Sequence, residues 1–494
     1  MGIVVRQGIY NTLFQYAGIL TGFLNTIILY PRILSAEQIG AFNLLISLSL
    51  IFSQLSGLGI NSVFQRFYSR FKNSGTDDKG FTLWIFLLSV VSFTFFSLLV
   101  VFFQGSIKSY LSLPTEIGWL YLSQTIILAL LTLVMNLADV MARAYFKGLV
   151  TIFMRDFFMR LCVTVLLGLL FVKVIDFKDF IHFYILLSIL STLVLLVEVF
   201  KLKKFSLQQK IKLSKIEMTD MFKYGLFIIF AGSANVLIIH VDNVMLTNMK
   251  GLAVMGIYSI YFTVGAMISV PARGIGRIVY QLVIEFWQSK DIEKVKELYL
   301  KSSLTQLTIG IFIFMMGVIN MDILLFIVDK PEFNPYYRVF YFIGFAYLID
   351  CAGGLNLFII SISEKYIYGA YILTFSLILC IVCNYVLIPK WGAEGAAASF
   401  LLVYAVINIA SSVLLKHFYN IPSVKKMHVF LFLFLSCFCV LWEFKTPLCN
   451  SIWIDCVIYS AITSIVFGLF VVYWNVIPEV NYNINKIIQK YKSY

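Results

Sequence analysis

Charge is what this 494-residue chain has least of: Asp, Glu, Lys and Arg together make 13% of it, and its longest polar stretch is only 201–223. Soluble domains carry about 25% charged residues, so a water-exposed globular domain is excluded. Cysteine is also scarce, with eight in all. Cys380 and Cys383 have CxxC spacing, but they lie inside an apolar run without a second ligand pair, which excludes the usual metal and redox motifs. No GxxxxGK[ST] loop occurs, so nothing in the chain is built to cradle a nucleotide phosphate. The Asp77-Asp78 pair stands in a short polar turn and no large polar loop surrounds it. These absences together argue against an enzyme, a cofactor and a metal centre. The N-terminus has one cation before a long apolar run, yet no small-x-small cleavage site precedes Pro31. It reads as a retained first helix and not as a cleaved leader.

What is there is apolar: 61% of residues, with a mean hydropathy of +0.91. Cut at its charges, the chain falls into about fourteen apolar stretches, most of them near the roughly 20 residues that cross a bilayer as a helix. Barrel strands would alternate over about ten residues instead. The expected fold is therefore an all-α polytopic membrane protein of about 14 transmembrane helices. Among the spans are span 1 at 7–30, span 5 at 156–173, span 7 at 222–247, span 10 at 336–360 and span 13 at 427–444. Spans 5 and 13 are the shortest.

The connections alternate in cation content. Those with even numbers, with both termini, hold 29 of the 38 Lys and Arg residues, and the odd ones hold 9. By the positive-inside rule the first set and both termini are cytoplasmic. The net charge of +13 is accounted for by topology and by attraction to anionic inner-leaflet lipid, and not by a nucleic acid.

The basic stretch from Lys201 interrupts the pattern, which then restarts. This divides the chain into a six-helix bundle at 1–200, a cytoplasmic linker at 201–221, a second six-helix bundle at 222–418, and two additional helices with a cytoplasmic tail at 419–494. The bundles repeat: Gly8, Gly18 and Asn25 correspond to Gly225, Asn235 and Asp242, and Gly40-Ala-Phe corresponds to Gly256-Ile-Tyr. An even number of spans per half makes the repeats parallel, related by a pseudo-two-fold along the membrane normal. Such a pair is expected to enclose a cavity.

Candidate site residues follow from polarity inside the spans. At about 100° per residue, Gln7, Asn11, Gln15, Gly18, Gly22 and Asn25 share one face of span 1, read as cavity lining with a helix-packing seam as the alternative. Span 7 places Asn235 and Asp242 on one face, and a carboxylate there is expensive in lipid, so it should face the bundle interior as a proton or cation site. A carboxylate hydrated near the outer headgroups is the alternative, and His240 reads as a packed or interfacial histidine. Arg66, Arg143, Arg160, Arg273 and Arg277 stand at or near inner span ends. Arginine binds phosphate oxygens bidentately and stays charged, so a ring of them would suit a diphosphate. Plain anchoring in the inner interface is the competing reading.

Three stretches resemble the oligosaccharide flippases of the polysaccharide-biosynthesis family, in the multidrug/oligosaccharidyl-lipid/polysaccharide exporter superfamily. They are Leu34-Ser-Ala-Glu-Gln-Ile-Gly-Ala-Phe, continuing to Gly57-Leu-Gly and Arg66-Phe; His240-Val-Asp-Asn-Val-Met-Leu with Gly256-Ile-Tyr; and Asn384-Tyr-Val-Leu-Ile-Pro389-Lys-Trp-Gly392-Ala-Glu-Gly395-Ala-Ala-Ala. The resemblance implies alternating access by two bundles and a cargo of the undecaprenyl-diphosphate-oligosaccharide type, an O-antigen, capsule or exopolysaccharide repeat unit, moved to the outer leaflet of a bacterial inner membrane. It implies ion coupling at Asp242, where the family often has an acidic residue, although Asn25 replaces a charge at the equivalent point of span 1. Membrane lipids, a polysaccharide polymerase and a chain-length regulator are the further partners it suggests, with the chain itself a monomer. Drug/cation antiport, polysaccharide polymerisation and lipid II flipping are the alternatives. The first predicts twelve spans, and the second needs a large outer loop or an acidic catalytic motif. A topology test follows: alkaline phosphatase, active only outside the cytoplasm, should be inactive fused after Tyr494 and active inserted after Lys330. The reverse pattern would invert the assignment.

Overall fold

The computed structural model describes residues 2–72, 80–111, 115–144, 149–202, 213–447, 449 and 451–478, and no β-strand occurs among them. Helix is the expected outcome where lipid offers the backbone no hydrogen-bond partner. In chain order the principal helices are α1 (Gly2–Phe23), α2 (Ala36–Ser56), α3 (Ile60–Lys72), α4 (Phe81–Phe102), α5 (Thr115–Ala144), α6 (Met159–Phe171), α7 (Phe177–Leu202) and α8 (Lys215–Lys250). They continue with α9 (Leu252–Ala266), α10 (Val270–Gln288), α11 (Ile292–Ile319), α12 (Arg338–Gly353), α13 (Asn356–Ile362), α14 (Tyr366–Trp391), α15 (Ala393–Tyr419), α16 (Lys426–Glu443) and α17 (Ile452–Tyr473).

Local chemistry sets the boundaries. Ser35 with Gln38, and Ser214 with Glu217, form capping boxes that satisfy the first free N–H groups of α2 and α8. Gly251, at φ +87°, separates α8 from α9, and Gly392, at φ +59°, separates α14 from α15. Both take a backbone conformation that a side chain disfavours. Two π-helical turns, Leu24–Leu29 after α1 and Phe153–Phe158 before α6, widen the helices where these two segments meet.

Among the described residues, eleven helices are long and apolar enough to cross a membrane, or twelve if α12 and α13, bent by 50°, form one span. That is fewer than fourteen. Span 13 is one of the eleven, as α16. The two shortfalls are spans 5 and 7. Span 5 falls on α6 and the π turn before it, where Arg155, Asp156 and Arg160 interrupt the apolar run. Span 7 falls within α8, which carries Asp242 and whose side chains at 226–231 lie outside the description. Of the linker expected at 201–221, residues 203–212 lie outside the described residues and 215–221 form the first two turns of α8; the Asp77-Asp78 turn and the tail after 478 also lie outside them.

The chain divides into two compact units, Met1–Ser259 with Asn384–Gly392, and Ile260–Cys383 with Ala393–Tyr494. In the first, an aromatic core forms where α3, α4 and α5 come together: Phe81 stacks on Phe64 and Phe71 with centroids 5.6 and 4.8 Å apart, and Leu137, Met141 and Met221 close around them. In the second, α12 packs against α11 through Phe314 and Phe340, and against α15 through Tyr347 and Phe400.

In the first unit the backbones of α2 and α9 approach each other closely. A Cβ on Gly40 would overlap the Leu252 carbonyl oxygen, and one on Gly256 would overlap that of Ala36. The contact is reciprocal: Ala36 and Gly40 meet Leu252 and Gly256 at a constant offset of 216 residues, and Asn43 donates to the Ser259 hydroxyl at 3.1 Å with the same offset. Repeats related by a two-fold make this kind of self-matching contact. It has a direct consequence for stability. Gly40→Ala and Gly256→Ala should each destabilise the protein by about 1–3 kcal/mol, the usual cost of overpacking, read as a lower thermal midpoint in detergent. Gly105→Ala, where nothing lies within 4 Å of the added Cβ, should behave as wild type.

Candidate functional site

Asp242 is fully buried, with 0% exposure. Its Oδ1 accepts from Asn384 Nδ2 at 2.6 Å and its Oδ2 from the Tyr258 hydroxyl at 3.1 Å. The helix α8 brings the carboxylate in, α9 returns with Tyr258, and the end of α14 supplies Asn384. Both of these partners are neutral donors. A carboxylate in such a place has the chemistry to take a proton or a small cation, either of which offsets a charge that burial makes costly.

Around it the same unit keeps its polar groups in seams. Asn243 Nδ2 donates to the Ser47 hydroxyl at 2.8 Å, and His240 Nδ1 lies 3.2 Å from the same oxygen. His240 is half-buried in a helix seam, which is the packed-histidine reading. On the neighbouring turns Lys250 Nζ donates to the Pro389 carbonyl at 2.9 Å, tying the α8–α9 turn to the end of α14.

The polar face of span 1 packs against α6 and the π turn preceding it. Gly18 sits on the Asp156 carbonyl and Gly22 on the Arg160 guanidinium, with no space for a Cβ at either. Asn25 is 2% exposed; its Nδ2 donates to the Arg160 carbonyl at 2.8 Å and its Oδ1 accepts from Thr164 at 2.7 Å. Arg160 Nη1 donates to the Gly18 carbonyl. At these positions the cavity-lining expectation gives way to a packing seam, because small and amide residues let two helices approach and bond. The side chain of Asn11 lies outside the described residues.

The other arginines are held at separate places. Arg66 is exposed, with its guanidinium carbon 4.3 Å from the Tyr224 ring centre. Arg143 and Arg155 converge on Asp139 Oδ2 at 2.7 and 3.5 Å, and both remain about half exposed while Asp139 is 6% exposed. In the second unit, Arg273 is exposed and donates through Nη2 to the Ser269 hydroxyl at 2.7 Å. The side chain of Arg277 lies outside the described residues, and Asn235 is exposed on α8.

Sequence reasoning missed several partners. Asp139 and Arg155 complete the Arg143 cluster, and Tyr258 and Asn384 complete the Asp242 site. In the second unit, Arg273 lies within electrostatic reach of Asp350. Asn408 Nδ2 is 3.4 Å from Asp350 Oδ1, and Asn356 Nδ2 donates to Asn408 Oδ1 at 3.1 Å across the α12–α13 bend. A signal existed for Asp350: it is the one carboxylate in the apolar run 336–360, and Gly353-Gly354 follows it. Asn384 and Tyr258 stand in two of the stretches quoted for the family resemblance, which the fold brings together around Asp242.

A profile of the family described as polysaccharide biosynthesis protein matches residues 4–279. Comparison with curated protein sequences finds no match. Among solved structures, a lipid II flippase MurJ in its inward closed conformation superposes with a TM-score of 0.72 at 12% identity, covering 95% of this chain and all of that one. An inward-facing multidrug resistance MATE family transporter of the MOP superfamily gives 0.61 at 11% identity, covering 87% of this chain and 95% of the other. The MATE multidrug transporter DinF-BH in complex with R6G gives 0.59 at 13%, covering 86% and 97%. At these identities the likeness is one of fold.

The Asp242 geometry predicts that Asn384→Ala, which removes a donor from a buried carboxylate, lowers stability by about 1–3 kcal/mol. Pairing it with Asp242→Asn should recover part of that loss, because the charge that needed the donor is gone. Thermal unfolding in detergent of the two single variants and the double variant measures the coupling, and strict additivity would show that the two side chains do not interact.

Proposed function

We propose, from the premise that this chain belongs to the polysaccharide biosynthesis protein family, that it is a flippase carrying a lipid-linked oligosaccharide across a bacterial inner membrane. The cargo is an undecaprenyl-diphosphate-linked repeat unit of an O-antigen, capsule or exopolysaccharide, taken from the cytoplasmic to the outer leaflet by alternating access of the bundles 1–200 and 222–418. The observation that carries this reading is the conjunction of that family with a fold shared, over 95% of the chain, with a lipid II flippase. That both of these fold neighbours are named as a flippase and a transporter supports a role in transport across a membrane.

In this reading Arg66, Arg143 and Arg273, exposed on their helices, receive the diphosphate at the cytoplasmic side, with Arg277 in the same role. Arg160 and Asn25 act more indirectly, holding the α1–α6 seam, and Asn11 contacts the cargo. Asn235, exposed on α8, contacts the sugar headgroup. Asp242 couples transport to a proton or cation. A polymerase and a chain-length regulator act on the product, and the chain works as a monomer with both termini in the cytoplasm.

The second reading, drug/cation antiport, draws on the MATE likeness and on the buried Asp242. The two helices α16 and α17, each long and apolar enough to cross a membrane, favour the first, since the antiport reading predicted twelve spans.

Reconstitution in vesicles with a fluorescent lipid-linked oligosaccharide tests the proposal: wild type should expose the headgroup on the opposite face, and failure beside an active control flippase would overturn it. Arg66→Ala and Arg273→Ala should each slow the initial rate about tenfold, the effect of about 1.4 kcal/mol of lost binding, with unchanged expression. Asp242→Asn should abolish any dependence of rate on an imposed proton or sodium gradient. If wild type is itself indifferent to both gradients, the coupling role falls.

A further inference from the structure

The first unit carries a groove that none of these roles uses. It is an open groove with a cavity volume of about 70 Å³ between α3, α4, α5 and α7, and its walls include Phe86, Val90, Val134, Met141, Leu196 and Phe200. Polar lining is confined to Thr82 and Ser89, and the Ser89 hydroxyl donates back to the Ile85 carbonyl at 2.8 Å, so the wall it offers is hydrocarbon. Val90, Leu130 and Phe200 are 47%, 41% and 49% exposed, which opens the groove laterally.

Its two ends differ. Along α5 it runs from Leu130 to Met141, about 16 Å at about 1.5 Å per residue, or half of a roughly 30 Å hydrocarbon core. The deep end is apolar. At the other end three of the four wall helices continue into a cation: Phe64 is followed by Arg66, Met141 by Arg143 and Phe200 by Lys201. Arg143 and Lys201 have carboxylate neighbours, Asp139 at 2.7 Å and Glu198 at 3.9 Å, yet keep 57% and 69% of their side chains exposed. The cations at this rim outnumber the two carboxylates.

We propose that the groove is a binding site for an anionic phospholipid of the cytoplasmic leaflet, one acyl chain lying between α4 and α5 and the phosphate resting on Lys201. The groove depth matches one leaflet, which selects an ordinary acyl chain over a long polyprenyl tail. The cationic rim selects a headgroup of net negative charge, since a zwitterion brings its own cation to the same place. Binding here joins four helices of the first unit and does not depend on what the protein transports.

The test uses the full chain in nanodiscs doped with phosphatidylglycerol bearing a photoreactive diazirine in its acyl chain, and in parallel with the matching phosphatidylcholine. After irradiation, phosphatidylglycerol should label peptides containing Phe86–Val90 and Leu130–Met141, with phosphatidylcholine labelling them roughly tenfold less. Val134→Trp fills the groove and should remove that label, while labelling around Leu433, exposed on α16, persists as the internal control. Should Val134→Trp fail to give a monodisperse protein, Val90→Trp at the exposed rim makes the same test. Lys201→Gln should narrow the difference between the two lipids. Equal labelling by both lipids, or label that survives both tryptophan variants, overturns the proposal. Displacement of the label by an added polyprenyl diphosphate would also overturn it, reassigning the groove to the tail of a transported lipid.

Discussion

A polar group placed in hydrocarbon must find its partner inside the protein, because lipid supplies none. For the backbone this constraint leaves helix as the solution adopted throughout the described residues. For side chains it decides where each hydroxyl, amide and carboxylate can go. Hydroxyls within the spans turn back onto their own helices, as Ser49 does to the Leu45 carbonyl at 2.7 Å and Thr192 to that of Ser188 at 2.7 Å. Amides cross to a neighbouring helix, as Asn25, Asn43 and Asn243 do. A carboxylate, costlier still, is drawn to a place where several donors converge, and Asp242 marks that place in the first unit.

The same constraint explains why small residues accompany the polar ones. A hydrogen bond between two helices requires their backbones to come close, and only glycine or alanine leaves room. Gly18 and Gly22 therefore stand beside Asn25 in the α1–α6 seam, and Gly40 and Gly256 beside the Asn43–Ser259 bond. Gly353, whose added Cβ would meet Asn408, stands beside Asp350 in the same way. A face that looks polar and small on a helical wheel is thus ambiguous until its neighbour is known, which is how the span 1 face was read as lining and proved to be a seam at three of its positions.

Much of the fold was legible because it is written in composition. Long apolar runs give helices. The count was less secure, since Arg155, Asp156 and Arg160 make the span 5 region too polar to pass on hydropathy although it is helical. The repeat was legible from Gly40 and Gly256, but nothing in the sequence said that these two glycines touch each other. Asp242 stood out as a carboxylate in an apolar run. Its donors did not, because Tyr258 is 16 residues away and Asn384 is 142, and neither is unusual alone. The arginines were visible as cations, while their settings, an aromatic ring for Arg66 and a shared carboxylate for Arg143 and Arg155, depend on side chains from other helices.

By itself, then, the amino-acid order determined helix, repeat and family, because each of these is set by local hydropathy or by short motifs along the chain. Tertiary structure alone decided which polar groups are engaged and which remain available. Asn25 is consumed by Arg160 and Thr164, Asp242 is held by two neutral donors, and Arg66 and Arg273 stay exposed. The physical reason is that desolvation and hydrogen bonding in a membrane interior act between helices. The availability of a side chain is therefore a property of its neighbours and not of its position in the sequence.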